Sequence, residues 1–119
     1  MKDLIFNLKH KWFKYYELGL KRYEFREIKL YWQKKFCEHY SNDNDLCKHS
    51  FCHKCLIFKP KEYDKIILKD GYPKNERKDK IIKKSYAGVY IDRIRINDYA
   101  EKEMIGKYHF VIICRDIPE

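Results

Sequence analysis

The chain has 119 residues and a mass of 14.8 kDa, enough for one domain with a modest core and not for two. Hydrophobic residues make up 45% and aromatic residues 17%, a composition that excludes an intrinsically disordered protein. The 27 Lys and Arg against 18 Asp and Glu give a net charge of +9, which favours polyanionic partners such as RNA, DNA or nucleotides. No apolar run is long enough for a membrane span or a secretory signal, so we expect a cytoplasmic protein without membrane contact.

The first third of the chain alternates short strands with short helices. Residues 4–8 predict a strand, and the bulky residues of 10–18 recur at helical spacing. Gly19 is placed to end that helix in the left-handed conformation. Residues 22–28 alternate as in a strand, and residues 30–36 predict a short helix or an irregular turn.

The second half of the chain is rich in β-forming residues. Residues 63–69 predict a strand, 81–96 predict a long strand with a bend at Ala87-Gly88, and 97–106 predict a connection or short helix. Residues 108–114 predict a last strand that is buried on both faces. This order predicts an α+β fold, a small mixed β-barrel with one or two helices near the N-terminus, formed by a single domain over residues 1–119.

A motif of the form G-x-K-x-x-E-x-R carries the clearest chemical signal, and its fixed positions are Gly19, Lys21, Glu24 and Arg26. The glycine allows a sharp turn, and Glu24 and Arg26, two apart on an extended chain, share one face. An ammonium, a carboxylate and a guanidinium would thus meet at one water-accessible edge and hold a planar, partly anionic ligand. The alternative is a helix-to-strand junction with a solvated outer face and an internal Glu24–Arg26 ion pair.

This motif resembles the signature of the ASCH family, a β-barrel family related to PUA domains, and all four fixed positions are met. Further similarity to small bacterial and phage members of the family lies in residues 11–13, 26–32, 63–64, 70–75 and 108–112. The resemblance implies a barrel of five or six strands with a cleft that binds RNA or a nucleotide.

The resemblance also implies two hydrolase alternatives, because some members resemble metal-dependent ribonucleases and others remove the acyl group from N4-acetylcytidine. In the latter, Lys21 would be catalytic. Those enzymes carry a threonine where this chain has Glu24, and their downstream catalytic carboxylate has no clear counterpart here. Lys21 and Glu24 are therefore candidate catalytic groups, while a ligand-anchoring role for Lys21 is the leading interpretation.

Four of the five cysteines and three of the five histidines fall within a polar segment at 37–55, which we interpret as an insert. Cys52 and Cys55 have the C-x-x-C spacing that lets two thiolates grip one tetrahedral ion. With Cys37 and Cys47 they form our predicted ligand set for a structural Zn²⁺, and His39, His49 and His53 are substitutes. Free thiols, disulfides or a redox-active pair are the alternatives.

A basic loop with an aromatic residue follows the predicted strand at 63–69. Tyr72 would stack a base while Lys74 and Arg77 contact phosphate, and the alternative is an exposed turn. His10 and His109 stand alone in the sequence, and we expect a packing or surface role for each.

The leading functional prediction is a module that binds RNA or a modified nucleoside. A hydrolase, or a phage protein that binds a host protein, is the alternative.

Overall fold

The computed structural model describes residues 2–38, 60–71, 80–96 and 98–117. Within them the strands form one sheet with the order β1-β3-β4-β5-β2, so the described chain has a mixed α+β architecture as predicted. Closure of the sheet into a barrel stays a prediction. The elements are β1 (Leu4–Leu8), α1 (His10–Glu17), β2 (Tyr23–Glu27), α2 (Leu30–Phe36), β3 (Lys65–Asp70), β4 (Ile81–Arg93), a 3-10 turn (Lys102–Met104) and β5 (Tyr108–Arg115).

The predicted elements agree with these bounds to within a few residues. Helix α1 ends at Glu17, one residue before the predicted end. For residues 30–36 the alternatives were a short helix and an irregular turn, and the structure has the helix α2. Strand β4 stops at Arg93, and Gly88 within it has a φ of 127°, which confirms an unusual backbone conformation at the predicted bend. Strand β5 is buried on both faces over most of its length, as predicted. None of the described helices has the length and apolar character needed to cross a bilayer.

The contact pattern divides the chain into two compact units. Unit 1 comprises Met1–Glu24, Tyr63–Ala87 and Ile113–Glu119, and unit 2 comprises Phe25–Glu62 and Gly88–Ile112. The single domain expected from the chain length stays a prediction.

In unit 1 the parallel pairing of β1 with β3 forms the base on which α1 packs. The register runs from Leu4 opposite Ile66 to Leu8 opposite Asp70, and β3 continues antiparallel to β4. Alternate residues of β1 are buried because successive side chains of a strand point to opposite faces. Phe13 and Tyr16 supply the buried side of α1.

Unit 2 has a cluster of mixed apolar residues and an aromatic row. Phe25, Ile94 and Val111 are buried together, with the residues of the 3-10 turn region packed against them. The aromatic row joins Trp32 to Phe36 at 5.6 Å between ring centroids and Phe36 to Phe110 at 5.0 Å. Phe36 and Phe110 are fully buried, so the row anchors α2 to β5.

Candidate functional site: a buried lysine–glutamate pair

The turn after α1 places Lys21 against the last turn of that helix. Gly19 has a φ of +73°, and its N–H donates to the Tyr16 carbonyl at 3.1 Å while the N–H of Leu20 donates to the Tyr15 carbonyl at 3.0 Å. These two bonds form a Schellman motif, which confirms the predicted role of Gly19 as the residue that ends the helix. The N–H of Lys21 also points at the Tyr15 carbonyl, at 3.2 Å, so the backbone of Lys21 is held close to the helix end.

Lys21 and Glu24 form an ion pair inside unit 1. The Lys21 Nζ lies 3.7 Å from Glu24 Oε1, and the two side chains are 3% and 5% exposed. The prediction that Lys21 and Glu24 lie close together is confirmed. The alternative, in which both side chains lie on a solvated outer face, is wrong because both are buried. The predicted water-accessible position of the ammonium is also not found, because the side chain is covered.

Two aromatic rings of α1 cover the ammonium. The Lys21 Nζ lies 5.3 Å from the centroid of the Trp12 ring and 5.7 Å from that of Tyr16. Trp12 and Tyr16 are four residues apart on the helix, so their side chains lie on one face. Both distances fall within the range of cation–π attraction, which strengthens when the cation is removed from water. Trp12 is only partly buried, so its ring separates the ammonium from solvent.

Tyr16 and Cys114 complete the buried polar cluster. The Tyr16 hydroxyl donates to Glu24 Oε1 at 3.3 Å and lies 3.7 Å from Cys114 Sγ. Burial raises the pKa of Tyr16 well above its usual value, and the Glu24 charge adds to the effect. Burial and the Glu24 charge also raise the pKa of Cys114 to about 12. Both groups therefore stay protonated at neutral pH.

Arg26, the last position of the motif, belongs to unit 2. Its guanidinium carbon lies 5.1 Å from the centroid of the Trp32 ring, and its Nη1 donates to the Phe25 carbonyl at 2.7 Å. The side chain is partly exposed. The guanidinium is thus held over an aromatic ring at a distance typical of cation–π contacts, and arginine can also stack on nucleobases.

The remaining predicted site residues lie largely outside the described ranges. These are Tyr72, Lys74, Arg77, Cys47, Cys52 and Cys55. Cys37 is described: its thiol is free and fully buried, and its backbone forms a bridge with Pro60. In the part of the chain that the structure describes, no three His, Cys, Asp or Glu side chains gather as a metal site would require. The zinc and loop predictions accordingly stay predictions.

The sequence did not single out Trp12, Tyr16 or Cys114 as parts of the site. Trp12 and Tyr16 had a usable signal, because two aromatic residues four apart on a helix that ends just before the motif lysine face the same side. No sequence signal indicated Cys114, because its contact with Tyr16 joins residues that are 98 positions apart in the chain.

Comparison of the chain with family models, curated proteins and solved structures gave no match.

Proposed function

We propose that this chain is an ASCH-type module with a PUA-like barrel, and that it binds RNA or a modified nucleoside through Lys21 and Glu24. The observation that carries the proposal is the Lys21–Glu24 ion pair beside the partly exposed Trp12 ring in a chain of net charge +9. A ligand can reach this covered pair only when the Trp12 ring moves aside. Four fixed residues of the family motif and the ordered flanking similarities support the family assignment.

The burial of the pair supports a role other than stability. Two charges lose their hydration when they leave water, and well-packed apolar residues of similar size are often as stable or more so. The site contains both an ammonium donor and a carboxylate acceptor, and a partly exposed aromatic ring lies next to them.

The chemistry of the pair fits the edge of a pyrimidine base. A carboxylate accepts from the exocyclic N4 amino group of cytosine, and an ammonium donates to ring nitrogen or carbonyl acceptors. The Trp12 ring supplies a stacking surface for a base that reaches the pair. Cytidine and its N4-modified forms are therefore the ligands that we place first, either free or within RNA.

Binding is favoured over catalysis by Lys21. A lysine acts as base or nucleophile only when it is neutral, a form that burial favours; the carboxylate 3.7 Å from its Nζ opposes this effect and stabilises the charged form. The same contact suits an anchoring cation. The hydrolase alternative, with Lys21 and Glu24 as catalytic groups, therefore ranks second, as does a protein-interaction role.

Trp12 provides a direct optical test of the proposal. The chain has two tryptophans, so Trp32→Phe leaves Trp12 as the only indole reporter. In this background, titration with cytidine, N4-acetylcytidine, uridine and a short single-stranded RNA should change Trp12 fluorescence with a preference for the cytidine ligands. Product analysis of the acetylcytidine sample separates binding from turnover.

A double substitution removes the recognition groups without leaving a lone buried charge. Lys21→Met with Glu24→Leu should abolish the fluorescence response while the protein stays folded. The matched control is Lys14→Met with Glu17→Leu, because that pair has the same spacing and the same 3.7 Å separation but is exposed. Arg26→Ala is measured separately. Unchanged affinity in the Lys21/Glu24 double variant would refute the proposed site.

We also propose that the insert binds one structural Zn²⁺ through Cys37, Cys47, Cys52 and Cys55. The cysteine spacing suits a closed tetrahedral site, and a polar segment of this length has few apolar residues with which to build a core. Elemental analysis of protein purified under reducing conditions should give about one zinc per chain. A zinc content near zero, or one unchanged by Cys52→Ser with Cys55→Ser, contradicts this assignment.

A further inference from the structure

Unit 1 contains a second group of titratable side chains, apart from the Lys21–Glu24 pair. The His10 Nδ1 lies 2.7 Å from Asp70 Oδ2, and the Lys80 Nζ lies 3.3 Å from the same oxygen. The exposed fraction of the side chain rises from 8% for Asp70 to 35% for Lys80 and 69% for His10. A covered carboxylate thus holds an imidazole that faces solvent.

The topology of the sheet explains why these residues meet. Strands β1 and β3 are parallel, and Leu8 at the end of β1 lies opposite Asp70 at the end of β3. The N–H of Gly71 donates to the Leu8 carbonyl at 2.8 Å, which ties the two strand ends together. His10 follows β1 by two residues and begins α1.

The hydrogen bond to Asp70 determines how the imidazole can react. An ionised carboxylate only accepts, so Nδ1 carries the proton and the neutral ring presents the lone pair of Nε2 to solvent. The hydrogen bond from His10 lowers the pKa of Asp70, and Lys80 adds to this effect, so the carboxylate is ionised at neutral pH. An imidazole oriented in this way is the arrangement of a general base.

We propose that His10 is a general base that cleaves RNA at the ribose 2′-hydroxyl, with Asp70 as its positioning residue. This inference rests on the proposed function in so far as RNA is the ligand. RNA suits a base of this kind because it carries its own nucleophile next to the phosphorus, so the protein need supply only proton transfer.

The step balances without any further reactant. His10 Nε2 takes the proton of the 2′-hydroxyl, the 2′-oxygen forms a bond to the adjacent phosphorus, and the bond from phosphorus to the 5′-oxygen breaks. A solvent water relays the proton of the imidazolium to the 5′-oxygen, which departs on the side of the phosphorus opposite the 2′-oxygen. The products are a 2′,3′-cyclic phosphate and a 5′-hydroxyl, and Lys80 supplies a positive charge beside the dyad for the phosphate oxygens.

The test uses an oligonucleotide with one ribonucleotide in an otherwise DNA strand, with protein in excess and a metal chelator present. Wild-type protein should cut only after the ribonucleotide and leave a cyclic phosphate, identified by mass spectrometry. His10→Ala should slow cleavage by about 100-fold or more, and added imidazole should restore part of the rate. Asp70→Asn should slow cleavage without changing affinity, and should add no further loss to His10→Ala. Glu17→Gln, an exposed carboxylate variant on the same helix, serves as the matched control.

The outcomes separate this proposal from the proposed function. RNA that is bound but not cut, or cut at the wild-type rate by His10→Ala, overturns the His10 assignment and leaves binding by Lys21 and Glu24 in place. Cleavage that survives in the Lys21→Met/Glu24→Leu variant at saturating protein supports His10 even if the Lys21 site fails.

Discussion

The substitution Glu24→Gln removes one charge of the buried pair and changes almost nothing else in shape. The amide can still accept from Tyr16, but the Lys21 ammonium is left at 3% exposure without its carboxylate. Breaking a buried ion pair in this way costs about 3–5 kcal/mol. A chain of 119 residues has a free energy of unfolding of about 6–18 kcal/mol, so the loss is a large fraction of the total.

Urea denaturation followed by fluorescence measures the effect. With a denaturant slope of about 2 kcal/mol/M, Glu24→Gln should lower the unfolding midpoint by roughly 2 M. The double variant Lys21→Met/Glu24→Leu should recover most of this loss, to within about 1–2 kcal/mol of wild type, because it removes both charges and leaves no lone charge buried; the Tyr16 hydrogen bond to Glu24 is among the contacts that it loses.

The exposed Lys14–Glu17 pair is the control for the buried Lys21–Glu24 pair. Its nitrogen–oxygen distance is also 3.7 Å, but its side chains are 59% and 40% exposed, so Glu17→Gln should cost at most about 0.5 kcal/mol. Equal costs for Glu24→Gln and Glu17→Gln would refute the conclusion that burial sets the energy of the Lys21–Glu24 pair.

Three further predictions test other parts of the structure. Gly19→Ala should lower the free energy of unfolding by about 1–2 kcal/mol through the backbone alone, since φ is +73° and an added Cβ would meet no atom within 4 Å; a stability equal to wild type in urea would contradict this. Because folding lowers the pKa of Asp70 below the ordinary 3.8, its carboxylate stabilises the fold above that pH, and the contribution is lost as the pH falls through the lowered pKa. Urea midpoints should therefore differ between wild type and Asp70→Asn at neutral pH and converge in acid. A pKa of about 12, against an ordinary 9.0, leaves Cys114 with about 1,000-fold less thiolate at pH 8, so peptide-level labelling should modify it only after denaturation.

Local patterns in the sequence were sufficient to predict most of the elements. Helix α1 and its end at Gly19 follow from the spacing of bulky residues and a glycine in the C′ position, and β1 follows from strict alternation. These features depend on neighbours within a few residues. The predicted and observed elements therefore agree well wherever nearby side chains determine the backbone geometry.

The burial of the site could not be predicted in the same way. Alternation correctly assigned Glu24 to a face of β2, but whether that face meets water depends on Tyr16 and on Cys114, which comes from β5. The pairing of His10 with Asp70 likewise depends on the parallel alignment of β1 and β3, which the sequence does not encode locally. The contacts that local patterns could not predict are those of Tyr16 with Cys114, 98 residues apart, and of His10 with Asp70, 60 residues apart.

The bridge between Cys37 and Pro60 has a consequence for how the chain can be re-engineered. The Lys61 N–H donates to the Phe36 carbonyl at 2.8 Å, so the two described chain ends that flank residues 39–59 lie side by side. A short linker could join these ends without moving α2, and the change in loop-closure entropy between about 20 residues and a few amounts to roughly 1–2 kcal/mol in favour of the shorter connection. A shortened chain of this kind should therefore keep the bridge between Cys37 and Pro60.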